Sequence, residues 1–557
     1  MYFFVINIFF YYTYQYNKAI FSKDIKNTAG GFMSLFKSVA TFGGLTLVSR
    51  LTGFLRDMVL ANYLGAGAVS DAFVVAFKLP NLFRSLFAEG AFTSAFVPLF
   101  SQKLVSEGRK RSIFFAAQAM SVLALFVGIF VFIFEICMPF IVEILAPGFR
   151  SEPEKIILAT QLCRITFPFL LLISLVSFQG GILNSFEKFA APATAPVILN
   201  LMMIFSAFLF VPFTPTPAHG FALGITTAGL FEFFWLRYFL LKNNIRIKPY
   251  LHFAKILKNE EIKTLFKRIA PGVVGAGIYQ INMAVDTILV SLVGTGAISW
   301  LYYANRLQQL PLGVIGAAIS VALLPILSKY LKENQIDEAK QTQDKAVEYG
   351  LLLSLPAAIL LIVFAEPIVC LLFQHGKFSP DDAVKTAHAV IAYSIGLPCY
   401  VMTKALMPNF FARGDTVTPV KYSAVVFITN LVFILILMHP YGHVGIACAT
   451  TLAAFVSLLQ YIWGLKKRHY WQISSTLLFK IFKIIAVSFL TGILAYACRY
   501  EISVAFPDWM YAAKWKLLLW LSFLGILSLA FFLISAKIFK VIDFYDVMKI
   551  IRRKKNG

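Results

Sequence analysis

At 557 residues the chain is long enough for several soluble domains, but its composition excludes them. Hydrophobic residues make up 59%, charged residues only 14%, and the mean hydropathy is +0.77, whereas a soluble surface needs roughly a quarter of its residues charged. The net charge of +23 does not point to nucleic acid, because Lys and Arg sit in short tracts between apolar runs, a pattern that orients membrane helices and suits anionic lipid.

Residues 1–32 open with the aromatic-rich MYFFVINIFFYYTYQY and lack the basic start and small-residue cleavage site of a signal peptide. They read as a peripheral extension, or a product of start-codon choice, ahead of Met33. Apolar runs of roughly 20 residues follow, each long enough to cross a bilayer and, without water for its backbone, bound to do so as a helix. They fall at about 36–62, 70–101, 113–139, 156–183, 191–212, 219–241, 266–292, 297–328, 346–372, 384–408, 419–438, 443–465, 476–497 and 513–536. The fold class is an all-α polytopic membrane protein with about fourteen transmembrane helices.

Charge orients these spans. The loops after every second span are basic: KLVSEGRKR, FEKF, LKNNIRIKPYLHFAKILKNEEIKTLFKR, KYLKENQIDEAKQTQDK, ARGDTVTPVK and KKRHY, with a tail ending RRKK. The intervening loops, among them LGAGAV, APGFRSEPEK and FQHGKFSPDD, are poor in Lys and Arg. Both termini are expected in the cytoplasm.

The chain also repeats itself. GAVSDAFVVAF (67–77) resembles GAISWLYYANR (296–306), NSFEKFAAPATAPV (184–197) resembles NFFARGDTVTPV (409–420), and HGFALGITTAGL (219–230) resembles HVGIACATTLAAF (443–455), at offsets of 223 to 229 residues. Two six-helix halves follow, 33–245 and 246–466, with 467–557 supplying the last two spans and a basic tail. Six is even, so the copies enter the membrane in the same sense, as a parallel repeat with substrate expected in a cleft between them. That architecture points to a transporter working by alternating access.

The charges inside the spans mark the chemistry, since each costs roughly 2.5–3.5 kcal/mol at the bilayer centre. The first span holds Arg50, Arg56 and Asp57, with Ser49 and Gly53 keeping it slim, and Asp57 is placed to restrain Arg56 as a local ion pair. The second holds Asp71, Lys78, Asn81, Arg84 and Glu89; later spans hold Arg164, Asp286, Ser299, Arg306 and Lys404. Cations outnumber anions, and guanidinium groups suit phosphate and diphosphate. Interhelical ion pairs, or snorkelling for Lys78, Arg84 and Arg164, are the structural alternatives. The six cysteines show no CxxC spacing, the outer-loop histidines His219, His375, His388, His439 and His443 show no metal spacing, and neither a GxxxxGK[ST] loop nor HExxH occurs. Catalytic and metal residues are expected to be none.

The segment SRLTGFLRDMVLANYLGAGAVSDAFVVAFKLPNLFRSLFAEGAFTSAFVP strongly resembles the opening of MurJ (MviN) lipid II flippases of the MOP transporter superfamily; SWLYYANRLQQLPLGVIGAAISVALLPILSK and GDTVTPVK resemble its second half. The resemblance runs from about Met33 to the C-terminus. It implies that Arg50, Arg56 and Arg306 line a central cavity and engage a diphosphate, with Arg84, Ser49, Asn81 and Ser299 among the substrate residues and Gly53, Asp57, Asp71 and Glu89 in gating or packing. The family often has two arginines where this chain has Arg84 and Ser85. A sodium site of some members maps onto Asp286, Asn430 and Thr450, but a further acidic position corresponds to Ile434, and Lys404 is a resident cation. No cofactor is therefore expected, sodium coupling being the open alternative.

The resemblance implies a bacterial inner-membrane protein, not an enzyme, that moves undecaprenyl-diphosphate-linked muropeptide from the cytoplasmic to the periplasmic leaflet. Its expected partners are lipid II, membrane lipids and the cell-wall synthesis machinery; it is expected to be a monomer and to bind no nucleic acid. The rival readings are another transporter of the superfamily, whether an oligosaccharide-lipid flippase or a drug/cation antiporter, and a membrane enzyme acting on polyprenyl diphosphates.

Overall fold

The computed structural model describes residues 29–541 apart from 86, 88–90, 251 and 507–512. Among these residues there is no strand. The helices are α1 (Ala29–Leu64), α2 (Ala68–Arg84), α3 (Ala91–Ser106), α4 (Gly108–Leu145), α5 (Pro153–Thr166), α6 (Phe169–Ser185), α7 (Ala190–Leu209), α8 (Pro217–Lys242), α9 (Phe253–Lys258), α10 (Glu260–Ser291), α11 (Ala297–Pro311), α12 (Ala317–Lys332), α13 (Ile336–Val363), α14 (Ala365–Leu372), α15 (Pro380–Leu406), α16 (Pro408–Phe411), α17 (Val417–Lys467), α18 (Ser475–Ala505) and α19 (Lys514–Ile538). Nine helical segments among the described residues are long and apolar enough to cross a membrane.

Local chemistry sets the boundaries. Proline opens α5, α8, α15 and α16, where its missing N–H is no loss. Asn259 caps α10, Ser474 caps α18, and Ser379 with Asp382 forms a capping box at α15. The predicted eighth span is α11 and α12 joined through a π-helical turn at Leu312–Gly316 that follows Pro311. Two predicted spans run together as α17, broken at Gly442 with φ 56° and ψ −133°. The repeat reappears in the helix starts: α2 begins at Ala68 and α11 at Ala297, each one residue after the aligned Gly67 and Gly296.

Two compact units form. The first reaches to Ser299 and includes His375–Phe378; the second comprises Trp300–Gln374 and the described residues from Ser379 to Val541. In the first, α1 packs on α7, α2 on α5, α8 on α6 and α7, and α10 on α3. In the second, α15 lies between α13 and α17, while α18 joins α13 and α19. Apolar side chains such as Leu397, Val401, Phe410, Tyr461 and Trp471 fill the second unit's core.

Candidate functional site

The site residues of the first unit form two polar clusters held by buried geometry. In α1, Asp57 is 1% exposed and Arg56 5%. Arg56 Nε and Nη2 donate to Asp57 Oδ1 at 3.0 and 2.7 Å, and Nη1 donates to Asn200 Oδ1 of α7 at 2.8 Å. The guanidinium carbon also lies 5.2 Å from the Phe77 ring centroid. Asn200 Nδ2 turns back to α1, donating to the Ser49 carbonyl at 2.9 Å and Thr52 Oγ1 at 3.3 Å. A Cβ at Gly53 would come within 3.2 Å of that amide, so a side chain there would press on Asn200. A buried charge must be paired and hydrogen-bonded to persist, and Arg56 meets both conditions.

Six residues from Arg56, Arg50 is exposed on α1, and Ser49 is half-buried with its carbonyl taken by Asn200. The same helix thus carries one guanidinium held inside the protein and one at its surface.

The second cluster centres on Asp71, wholly buried near the start of α2. Its Oδ1 accepts from the Ser299 N–H at 3.0 Å and the Ser299 hydroxyl at 2.7 Å; its Oδ2 accepts from the Gly296 N–H at 2.7 Å and Lys155 Nζ at 3.0 Å. The carboxylate therefore sits on the N-terminal amides of α11, where the helix dipole favours an anion. Lys155, 4% exposed, also donates to Thr295 Oγ1 at 3.1 Å and lies 4.3 Å from the Phe149 ring centroid. Thr295 in turn donates to Glu152.

Other candidates stand apart from these clusters. Asn81 Nδ2 caps back onto the Phe77 carbonyl at 2.7 Å, and Arg84 is half-buried at the end of α2. Glu89 lies outside the described residues. In the second unit Arg306 is half-buried, with Nη2 donating to the Tyr302 hydroxyl at 3.1 Å and its guanidinium 4.8 Å from that ring centroid. Of the possible cation site, Asp286 is half-buried on α10 of the first unit, while Asn430 is buried, Thr450 half-buried and Lys404 exposed in the second. Thr450 Oγ1 donates to the Ile446 carbonyl, and Ile434 is fully buried. Among the described residues no three His, Cys, Asp or Glu side chains gather to hold a metal ion.

Two site members went unnoticed in the sequence. Asn200 is a solitary amide within the apolar run VILNLMM, and the expense of burying it without partners is a legible signal. Lys155 closes a loop otherwise poor in cations, which carries no such signal.

The family model described as "Lipid II flippase MurJ" matches residues 60–511. This chain belongs to the MurJ family. A probable lipid II flippase MurJ of Rhizobium meliloti (strain 1021) is 40% identical over 453 residues, covering 81% of this chain and 84% of the relative. One from Rickettsia prowazekii (strain Madrid E) is 34% identical over 523 residues, covering 93% and 100%. A solved structure titled "Lipid II flippase MurJ, inward closed conformation" superposes with a TM-score of 0.76 at 26% identity, covering 91% of this chain and 99% of that one. An inward-facing MATE-family multidrug transporter of the MOP superfamily shares the fold at a TM-score of 0.62 and 14% identity. MurJ proteins are flippases by name, and the all-α membrane fold is that of a transporter family rather than an enzyme.

Proposed function

We propose that this chain flips lipid II across the bacterial inner membrane, from the cytoplasmic to the outer leaflet. Family membership across residues 60–511 carries the reading. The residues supply a physical basis for it: Arg50 is exposed, Arg84 and Arg306 are half-buried, and all three lie on predicted membrane spans. Guanidinium groups in that setting bind the diphosphate through paired, charge-assisted hydrogen bonds. Arg56, with Asp57 and Asn200, shapes the helix that presents Arg50. Asp71 acts as a gate by holding and releasing the start of α11. The Lys and Arg tracts orient both termini to the cytoplasm, and an inside-negative potential then assists export by about 2.3 kcal/mol per negative charge per 100 mV.

The test is rescue of a conditional flippase-depleted bacterium, with outer-leaflet lipid II assayed and expression checked. Wild type is expected to rescue, Arg50→Ala and Arg306→Ala to express normally and fail. A well-expressed wild type that fails to rescue overturns the substrate; full rescue by both variants overturns the assignment of these arginines.

A further inference from the structure

The outer-loop histidines, which show no metal spacing in the sequence, are not equivalent in the structure. The break in α17 at Gly442 delivers His443 against α15, where its Nε2 lies 2.9 Å from the Lys385 carbonyl oxygen. A carbonyl only accepts, so Nε2 carries a proton and Nδ1 is the position open to a second one. The imidazole stands 4.8 Å from the Trp300 ring, centroid to centroid. That indole is held from two further directions: Lys385 Nζ lies 4.6 Å from its centroid, and its Nε1 donates to Asp382 Oδ1 at 2.8 Å. Lys385 is paired with Asp381 at 2.6 Å, and Asp382 is fixed by the capping box with Ser379. The charged and titratable groups around His443 are thus Lys385, His388, Asp381 and Asp382 on α15; α11 brings the neutral Trp300, and His439 precedes the break on α17 itself.

We propose that His443 is an acid-sensitive switch acting on Trp300. When neutral, it packs on the indole while the Lys385 ammonium occupies the ring's cation position. A proton on Nδ1 creates an imidazolium that repels Lys385 and sets a second cation against the same indole. Trp300 must then shift against its Asp382 hydrogen bond. Trp300 directly follows Ser299, whose N–H and hydroxyl hold Asp71, so the shift is delivered to the start of α11 through one peptide bond. That the proton comes from outside the cell rests on the proposed orientation, which puts these ends of α15 and α17 on the outer face.

The experiment is a fluorescence titration of the purified full chain in lipid nanodiscs, from about pH 8 to about pH 5 across the imidazole range. Protonated imidazole quenches a neighbouring indole, and subtracting the Trp300→Phe titration isolates the signal of Trp300. The difference signal is expected to fall with acid around a single midpoint. His443→Gln keeps a donor for the Lys385 carbonyl but takes no proton, and is expected to flatten the titration. Lys385→Gln removes the repelling cation, so the midpoint is expected to rise by about half a pH unit or more. A flat wild-type difference signal overturns the switch, as does an unchanged titration in His443→Gln or a midpoint that ignores Lys385→Gln. This readout needs no flipping activity: a normal titration in a protein that moves no lipid II counts against the substrate and leaves the switch standing.

Discussion

Arg56 and Asn200, 144 residues apart in the chain, share a hydrogen bond of 2.8 Å, and the same amide reaches back to the Ser49 carbonyl. One side chain therefore ties α7 to both the buried charge and the backbone of α1. Asn200→Ala removes both links at once and leaves one guanidinium arm without that acceptor. The expected loss is about 1–3 kcal/mol, read as a lower thermal-unfolding midpoint of the purified protein. An unchanged midpoint would show that Asn200 does not join these helices.

Asp71 and Lys155 form a buried pair, and the physics of such pairs predicts a non-additive mutant cycle. Asp71→Ala leaves an ammonium buried without its nearest carboxylate, a loss of about 3–5 kcal/mol. Adding Lys155→Met removes the stranded charge, so the double variant is expected to be more stable than Asp71→Ala alone. Denaturant unfolding of the four proteins checks this; simple addition of the single effects would rule the pair out as a unit.

Gly376 has φ +54°, and a side chain there would collide with the carbonyl and side-chain oxygens of Asn62. The adjoining Lys377 N–H donates to that same carbonyl at 2.9 Å. Gly376→Ala combines left-handed strain with a clash, and a loss of about 1–3 kcal/mol is expected. Ala in place of the open-sided, helical Gly128 is the control and is expected to be neutral or slightly stabilising by thermal shift.

Asp415, in the loop ahead of α17, is held below its usual carboxylate range chiefly by the Thr418 N–H, with the Thr418 hydroxyl and Arg468 assisting. A depressed folded-state value means that the ionised form stabilises the fold. The contribution is complete above the unfolded value of about 4 and disappears as pH falls through the lower folded value. Protection of the Thr418 amide, its exchange taken relative to the intrinsic rate at each pH, is expected to fall over that acidic window in wild type. Asp415→Asn is expected to exchange faster at neutral pH and to show no such acid step.

Much of this protein is legible without coordinates because lipid imposes simple rules. A long apolar run must be helical, a basic loop marks one side, and a charge in a span such as Arg56 needs a partner or water. Those rules reached the all-α class and the polar residues Arg50, Arg56, Asp57, Asp71 and Arg306. They also placed Asp57 as the local partner of Arg56, since adjacent residues need no tertiary knowledge to meet.

They do not reach contacts between distant segments. Composition set the identity and expense of each intramembrane charge; folding alone decided its partner, because pairing depends on which helices touch and at what height. Asn200 meets Arg56 only once α7 lies against α1, and Lys155 meets Asp71 from 84 positions away. Arg50 and Arg56 look alike in the sequence, yet one is exposed and the other enclosed. The difference is the rotation of α1 against α7, a property that no local pattern of residues contains.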